Sequence, residues 1–278
     1  MNKVKLILPF IILSMILASC GKKQQYAKHI PADAQMAAVV DVESMSSKAV
    51  SWDKIFSMDF LKQQFFTDTG SSHIRKLISS GIDLNKDMYF FAVPRNQMKA
   101  GYGGLVFPIN DAATIKESLK KEYPQLEFKT EGDLTYASLK GQPRFIMGWQ
   151  EKVGILMMAS RAALAKKDLA PLFDLPGDST LVARDASFKD LNNKEGDIRL
   201  WLNTGEFPDM FKRYSAPASM LMESYEGSKT TMIANFEKGK ITMDSRYISP
   251  NDSISPYHKL YRGAINDDLI NSLYGDSA

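Results

Sequence analysis

A single cysteine, Cys20, stands among 278 residues, so the chain cannot close a disulfide on itself and must draw its stability from core packing. Histidine is almost as scarce. His29, His73 and His258 lie far apart and lack the short spacing of metal ligands, so neither a metal site nor a cofactor is expected. An excess of one charge is missing too: 35 lysines and arginines face 32 acidic residues, a net +3. Residues 1–19 hold Lys3 and Lys5 and nothing acidic, so the 259 residues after them carry +1. A nearly neutral chain lacks the basic face that nucleic acid demands, and no nucleic-acid partner is expected. Beyond the first twenty residues no apolar run approaches the about 20 residues of a spanning helix. No Gly-x-Ser-x-Gly elbow is present, so a hydrolase of that type has no signature. Gly101-Tyr102-Gly103-Gly104 reads as a loop between strands, because no helix follows it directly as a phosphate-binding loop requires. Glu131 and Asp133 flank Gly132 as turn residues, and Asp267-Asp268 reads as an exposed pair.

What is present at the N-terminus is more informative. Lys3 and Lys5 precede an apolar stretch from Leu6 to Leu17, interrupted by Pro9 and Ser14, which is the length of a signal-peptide core. It ends in Leu17-Ala18-Ser19-Cys20, which resembles the lipobox of bacterial lipoproteins. In such signals the cysteine thiol receives a diacylglycerol and cleavage leaves that cysteine first. Small side chains at Ala18 and Ser19 admit a protease, and Cys20 is the sole thiol available. A diacyl group with a further acyl chain suffices for stable attachment. The expected partner is therefore the membrane, held through Cys20. Gly21-Lys22-Lys23 has neither the aspartate that resembles an inner-membrane retention signal nor the acidic cluster that resembles a surface-export signal. By resemblance the protein is expected on the inner leaflet of the outer membrane, facing the periplasm. The inner membrane and the cell surface are the alternatives.

The fold class expected is α+β, a mostly antiparallel sheet of hairpins and a meander packed with several helices. Residues 1–19 form the signal, 20–29 a lipidated polar tether with His29 in it, 30–174 an α+β domain, and 175–278 a second α+β segment packed on the first. Strands are expected over Met36–Val42, Met88–Val93 and Leu105–Phe107, followed by a meander over 126–159. Further strands are expected at Thr180–Ala183, at Asp197–Thr204 with Ile198, Leu200 and Leu202 on one face, and in a hairpin over 230–248 turning at Glu237-Lys238-Gly239. Helices are expected from Ser44 to Phe66, Ser71 to Ser80 (stopped by Gly81), Asp111 to Tyr123, Ser160 to Phe173, around Ser187–Leu191, from Phe207 to Tyr225, and in the tail from Ser255.

Several stretches taken in order resemble a family of Bacteroidota lipoproteins, domain of unknown function 4836. They are His29-Ile30-Pro31-Ala32-Asp33-Ala34, Ser80-Gly81-Ile82-Asp83-Leu84 before Tyr89-Phe90-Phe91, Asp197-Ile198 before Trp201, and Asn235-Phe236-Glu237-Lys238-Gly239-Lys240-Ile241. The resemblance brings no catalytic residue. It implies that relatives are longer, with a second half opening on a similar turn. The closing Leu273-Tyr274-Gly275-Asp276-Ser277-Ala278 resembles that opening, and Leu175-Pro176-Gly177-Asp178-Ser179 echoes it.

Methionine crowds the second half at Met157, Met158, Met210, Met220, Met222, Met232 and Met243. Filling the core between sheet and helices is the favoured role. Met210, Met220 and Met222, around Pro217, are the candidate apolar binding surface. The functional expectation is a non-enzymatic binding or scaffolding lipoprotein with an envelope protein as partner. The alternatives are an envelope hydrolase whose site is assembled from distant residues, and a carrier of lipid or another small ligand with a closed apolar cavity.

Overall fold

Alternating apolar and polar residues with turn residues between them build a sheet, and here they build one large one. The computed structural model describes residues 25–48, 81–95, 100–139, 142–159, 164, 166–206, 227–238 and 240–250. The expected helices over 71–80 and 207–225, most of 44–66, the tail, and the turn residue Gly239 lie outside these. Among the described residues ten strands form a single sheet, every neighbouring pair antiparallel. They are β1 (Met36–Val40), β2 (Met88–Arg95), β3 (Ala100–Pro108), β4 (Leu126–Glu131), β5 (Leu134–Leu139), β6 (Gln142–Trp149), β7 (Val153–Ala159), β8 (Ile198–Leu202), β9 (Lys229–Glu237) and β10 (Lys240–Ile248). Their order across the sheet is β10-β9-β8-β1-β2-β3-β7-β6-β5-β4. This is the antiparallel α+β class read from the sequence, and the 126–159 meander is present as β4 to β7.

The helices are α1 (Val42–Ser47), α2 (Ala112–Glu122), α3 (Lys166–Leu169), α4 (Leu181–Arg184) and α5 (Ala186–Asn192). Local chemistry starts them. Asp111 accepts from the Ala113 and Thr114 amides at 2.9 and 3.2 Å to cap α2, and Ile115 and Leu119, one turn apart, bury the same face. Asp41 and Asp185 cap α1 and α5 in the same way, accepting from Ser44 and Phe188 amides at 2.8 Å.

Two cores cover the two faces. On one, Val42 and α2 pack over Met88, Phe107, Met147 and Trp149. On the other, Tyr26 to Ala34 join Leu169, Leu172, Leu181, Phe188 and Leu191 over Tyr89, Phe91, Val106, Ile155 and Met157. The residues expected as the end of a polar tether are thus core: Tyr26, Ala27 and His29 are all buried.

The centre of the sheet has a local two-fold relation that no repeat in the sequence announces. β1-β2-β3 and β8-β9-β10 have the same order and sense, meeting at the β1·β8 ladder. Met36 pairs with Leu202 and Val40 with Ile198, symmetrically about Ala38 and Leu200. The hydrogen bonds flanking the ladder match as well. Asp41 N–H donates to the Asp197 carbonyl at 2.9 Å and Asn203 N–H to the Gln35 carbonyl at 2.8 Å. Each inner strand opens opposite an alanine, Met36 against Ala92 and Ile198 against Ala234. The echo at Leu175-Pro176-Gly177-Asp178-Ser179 lies directly beside the turn it resembles: Ala32 N–H reaches the Ser179 carbonyl at 2.9 Å and Leu181 N–H the Ile30 carbonyl at 2.9 Å.

Four further expectations are corrected. Gly101-Tyr102-Gly103-Gly104 is not a loop but part of the first half of β3. Gly104 serves a close approach: the Phe91 ring lies over it, and Phe107 covers Gly154 of β7 in the same way on the opposite face. Thr180–Ala183 is not a strand. Thr180 forms one bridge to Pro31, which has no N–H to continue a ladder, and the chain turns into α4. The helix expected from Ser160 is, in its described part, α3 followed by a 3₁₀ turn over Ala170–Phe173, where Pro171 breaks the α pattern. On β8 the deeper face is Arg199 and Trp201; Ile198, Leu200 and Leu202 are half-buried.

Adding a methyl at Gly104 would place it inside the Phe91 ring. Gly104→Ala is expected to cost about 1–3 kcal/mol as an overpacked core. Phe91→Leu in the same chain should recover part of that loss, so the double variant's drop in urea midpoint should be smaller than the sum of the two single drops.

Candidate functional site

The buried polar groups are the first candidates for chemistry, and each is tied into the fold. Asp197 is 1% exposed and gathers three segments. Its carboxylate accepts from Ser44 Oγ at 2.6 Å, Lys48 Nζ at 2.8 and 2.9 Å, and the Phe236 amide at 2.6 Å. Burial alone would raise its pKa; the hydrogen bonds from Lys48, Ser44 and Phe236 outweigh it and hold the carboxyl below its ordinary range. Arg199, also 1% exposed, donates to Asp87 Oδ2 at 2.5 Å and to the Lys194 and Asn192 carbonyls at 2.7 and 3.3 Å. Beside it the Tyr89 phenol is pushed far up, chiefly by burial and then by the nearby Asp87 charge. A third chain runs from Lys229 to Asp185, to Ser187, and to Trp201 Nε1 at 2.8 Å from Ser187 Oγ, pinning α5 on β8 and β9. These three networks lock elements together. The acidic pair Glu131 and Asp133 separates: Glu131 accepts from Tyr136 Oη at 2.7 Å and pairs with Lys166, which lowers its pKa.

Open space is found at the end of the sheet where β4 and β6 finish and β5 and β7 begin. A cleft of about 540 Å³ is lined there by Lys28, His29, Asp133, Glu151, Lys152 and Phe173, with Gln25 and Tyr26 at its side. The 3₁₀ turn Ala27–His29 forms one wall and the β4–β5 and β6–β7 turns the other. Charges of both signs face it, with Lys152 Nζ 3.5 Å from Glu151 Oε1. His29 is buried: Nδ1 lies 2.8 Å from the Leu172 carbonyl, which makes Nδ1 the donor, and its ring sits 6.2 Å from that of Phe173. Burial, reinforced by the Lys28 charge, lowers the imidazole pKa against the opposing effect of the Leu172 carbonyl. The ring is therefore neutral near pH 7, with Nε2 as acceptor.

Of the residues singled out in the sequence, Leu17, Ala18, Ser19, Cys20, Met210, Met220 and Met222 lie outside the described residues, as do His73 and His258. Met157 is fully buried, as core filling requires, while Met243 is 47% exposed. Asp133 and His29 do reach the cleft; the sequence offered no signal that they meet, since Lys152 and Phe173 arrive from distant strands and turns. Among the described residues no group of three His, Cys, Asp or Glu side chains is placed to hold a metal ion.

A histidine with a lowered native pKa binds its proton more readily when unfolded. Between the native value and about 6.5, the unfolded chain carries more protons, so stability rises with pH there and is lost as pH falls below about 6.5. Chemical denaturation from pH 7.5 to 5 should show that loss, and His29→Gln should flatten the profile. Asp197→Ala is expected to cost about 3 kcal/mol, leaving Lys48 and the Phe236 amide without their acceptor. Lys48→Met should cost about 1 kcal/mol, because Lys48 is one-third exposed and Asp197 keeps two donors.

Among solved structures the chain is similar to TP0453. Crystal form III gives a TM-score of 0.49 at 10% identity, over 88% of this chain and 83% of that one. Form I gives 0.49 at 10% over 82% and 79%, and form IV 0.47 at 11% over 78% and 79%. Likeness at this level says nothing of activity. No curated protein matches. A family match does, over residues 26–260, from the segment that forms the cleft wall to beyond the last strand: the chain belongs to DUF4836, a domain of unknown function.

Proposed function

We propose that the protein is a lipoprotein of the cell envelope, anchored through Cys20 and acting by binding or scaffolding rather than by catalysis. The observation that carries the anchor is Leu17-Ala18-Ser19-Cys20, with the chain's sole cysteine at the acceptor position after an apolar stretch of signal length. The position of the anchor is compatible with the fold: Tyr26 is buried in the core, six residues after Cys20, so the anchor would sit close to the domain. Binding is favoured over acid–base or nucleophilic chemistry by how the cleft is built. His29 is oriented by a backbone carbonyl, not a carboxylate, and Glu151 lies against Lys152. What the cleft offers is fixed charge of both signs around a neutral ring. Its polar lining does not favour a carrier of apolar ligands. The periplasmic face of the outer membrane remains the proposed location, with an envelope protein as a further partner.

Labelled palmitate should enter the protein in growing cells, and Cys20→Ala should abolish both the label and sedimentation with membranes. Incorporation that persists in Cys20→Ala would refute the anchor. Protease added to intact cells should leave the protein whole; digestion would instead place it on the cell surface.

A further inference from the structure

The cleft lies where the chain enters the fold, and on the anchoring reading proposed above this fixes what it faces. Gln25 lines it, and Cys20 precedes Gln25 by five residues. Five residues reach at most about 17 Å when fully extended. A lipid on Cys20 therefore keeps this end of the sheet within about 17 Å of the membrane, close enough for the cleft to reach the headgroup layer, which is about 5–8 Å deep per leaflet.

The lining chemistry selects among headgroups. Lys28 and Lys152 are cations, Asp133 and Glu151 anions, and all four are exposed side chains around one cleft. A simple anion would meet two carboxylates, and a simple cation two ammonium groups. A ligand carrying a phosphate diester and a primary ammonium finds a partner for each. We propose that the cleft binds the phosphoethanolamine headgroup of a phospholipid in the leaflet that holds the anchor, its phosphate toward Lys28 and Lys152 and its ammonium toward Asp133 and Glu151. A primary ammonium donates three hydrogen bonds to carboxylates, whereas a trimethylammonium donates none and is held best on open aromatic faces. Tyr26 and Phe173 are each less than a tenth exposed, so their faces are taken up by packing and the carboxylates decide.

The test uses the lipidated mature protein in detergent, titrated calorimetrically with glycerophosphoethanolamine, glycerophosphocholine, inorganic phosphate and ethanolamine. Saturable binding of glycerophosphoethanolamine is expected, at least tenfold tighter than each of the other three. Glu151→Gln and Lys152→Gln should each weaken it fivefold or more with the urea midpoint unchanged. Absence of saturable binding, equal affinity for the choline compound or for phosphate alone, or unchanged affinity in both variants would overturn the proposal. Membrane attachment is read separately in the palmitate experiment. An attached protein that ignores the headgroup refutes this site and leaves the anchor standing. Headgroup binding by a protein that proves unattached refutes the membrane as the source and assigns the cleft to a free phosphodiester.

Discussion

β1 has both of its neighbours far away in sequence, and the rest of the sheet hangs from it. Its five residues pair with β2 on one side and with β8 on the other. Without β1 the sheet would fall into a three-stranded piece, β8 to β10, and a six-stranded piece, β2 to β7. Small side chains at Ala37 and Ala38 let this strand sit between larger partners: Ala37 faces Trp201 across one ladder and Phe91 across the other. Asp197, at the first residue before β8, then ties α1 and the end of β9 to the same seam. A buried carboxylate is costly unless its oxygens are filled, and here three donors fill them. The seam is thus specified twice, by apolar fit along the ladder and by polar satisfaction at its end.

Around that seam the local two-fold arrangement explains an asymmetry in the sheet. β3 is flanked on its far side by β7, and three further strands, β6, β5 and β4, complete that wing. β10 occupies the matching place in the other wing and is an edge among the described residues. The cleft belongs to the larger wing, because it needs the two turns that only the meander supplies.

Much of the architecture was legible in the residues, for reasons that are local. The 126–159 meander shows short alternating strands with Gly, Asp, Pro and Lys between them, and Asp111 with Pro124 brackets α2 by capping and chain-breaking chemistry that acts within a turn. What stayed hidden depends on contacts across the fold. Gly101-Tyr102-Gly103-Gly104 looks like a loop until Phe91 is placed over Gly104. Arg199 reads as a solvent-facing residue on an alternating strand, yet Asp87 and two carbonyls make its burial tolerable. His29 reads as part of a tether until the Leu172 carbonyl, from another part of the chain, is seen to accept a hydrogen bond from its ring. The cleft is of the same kind: three separate segments and Phe173 assemble it, and no pair of them is close enough in sequence to form a motif.

The two outermost strands bear on how such a molecule behaves among its own copies. Among the described residues the sheet ends in two edge strands, β4 and β10, and an open edge is a template for another chain. β4 presents Glu127, Lys129 and Glu131 to solvent, and β10 presents Lys240, Asp244 and Arg246. Pressing either edge onto a neighbouring copy would strip water from charges that need it. The charged edges thereby oppose growth of the open sheet from molecule to molecule, a constraint that matters most when many copies are crowded onto a small area.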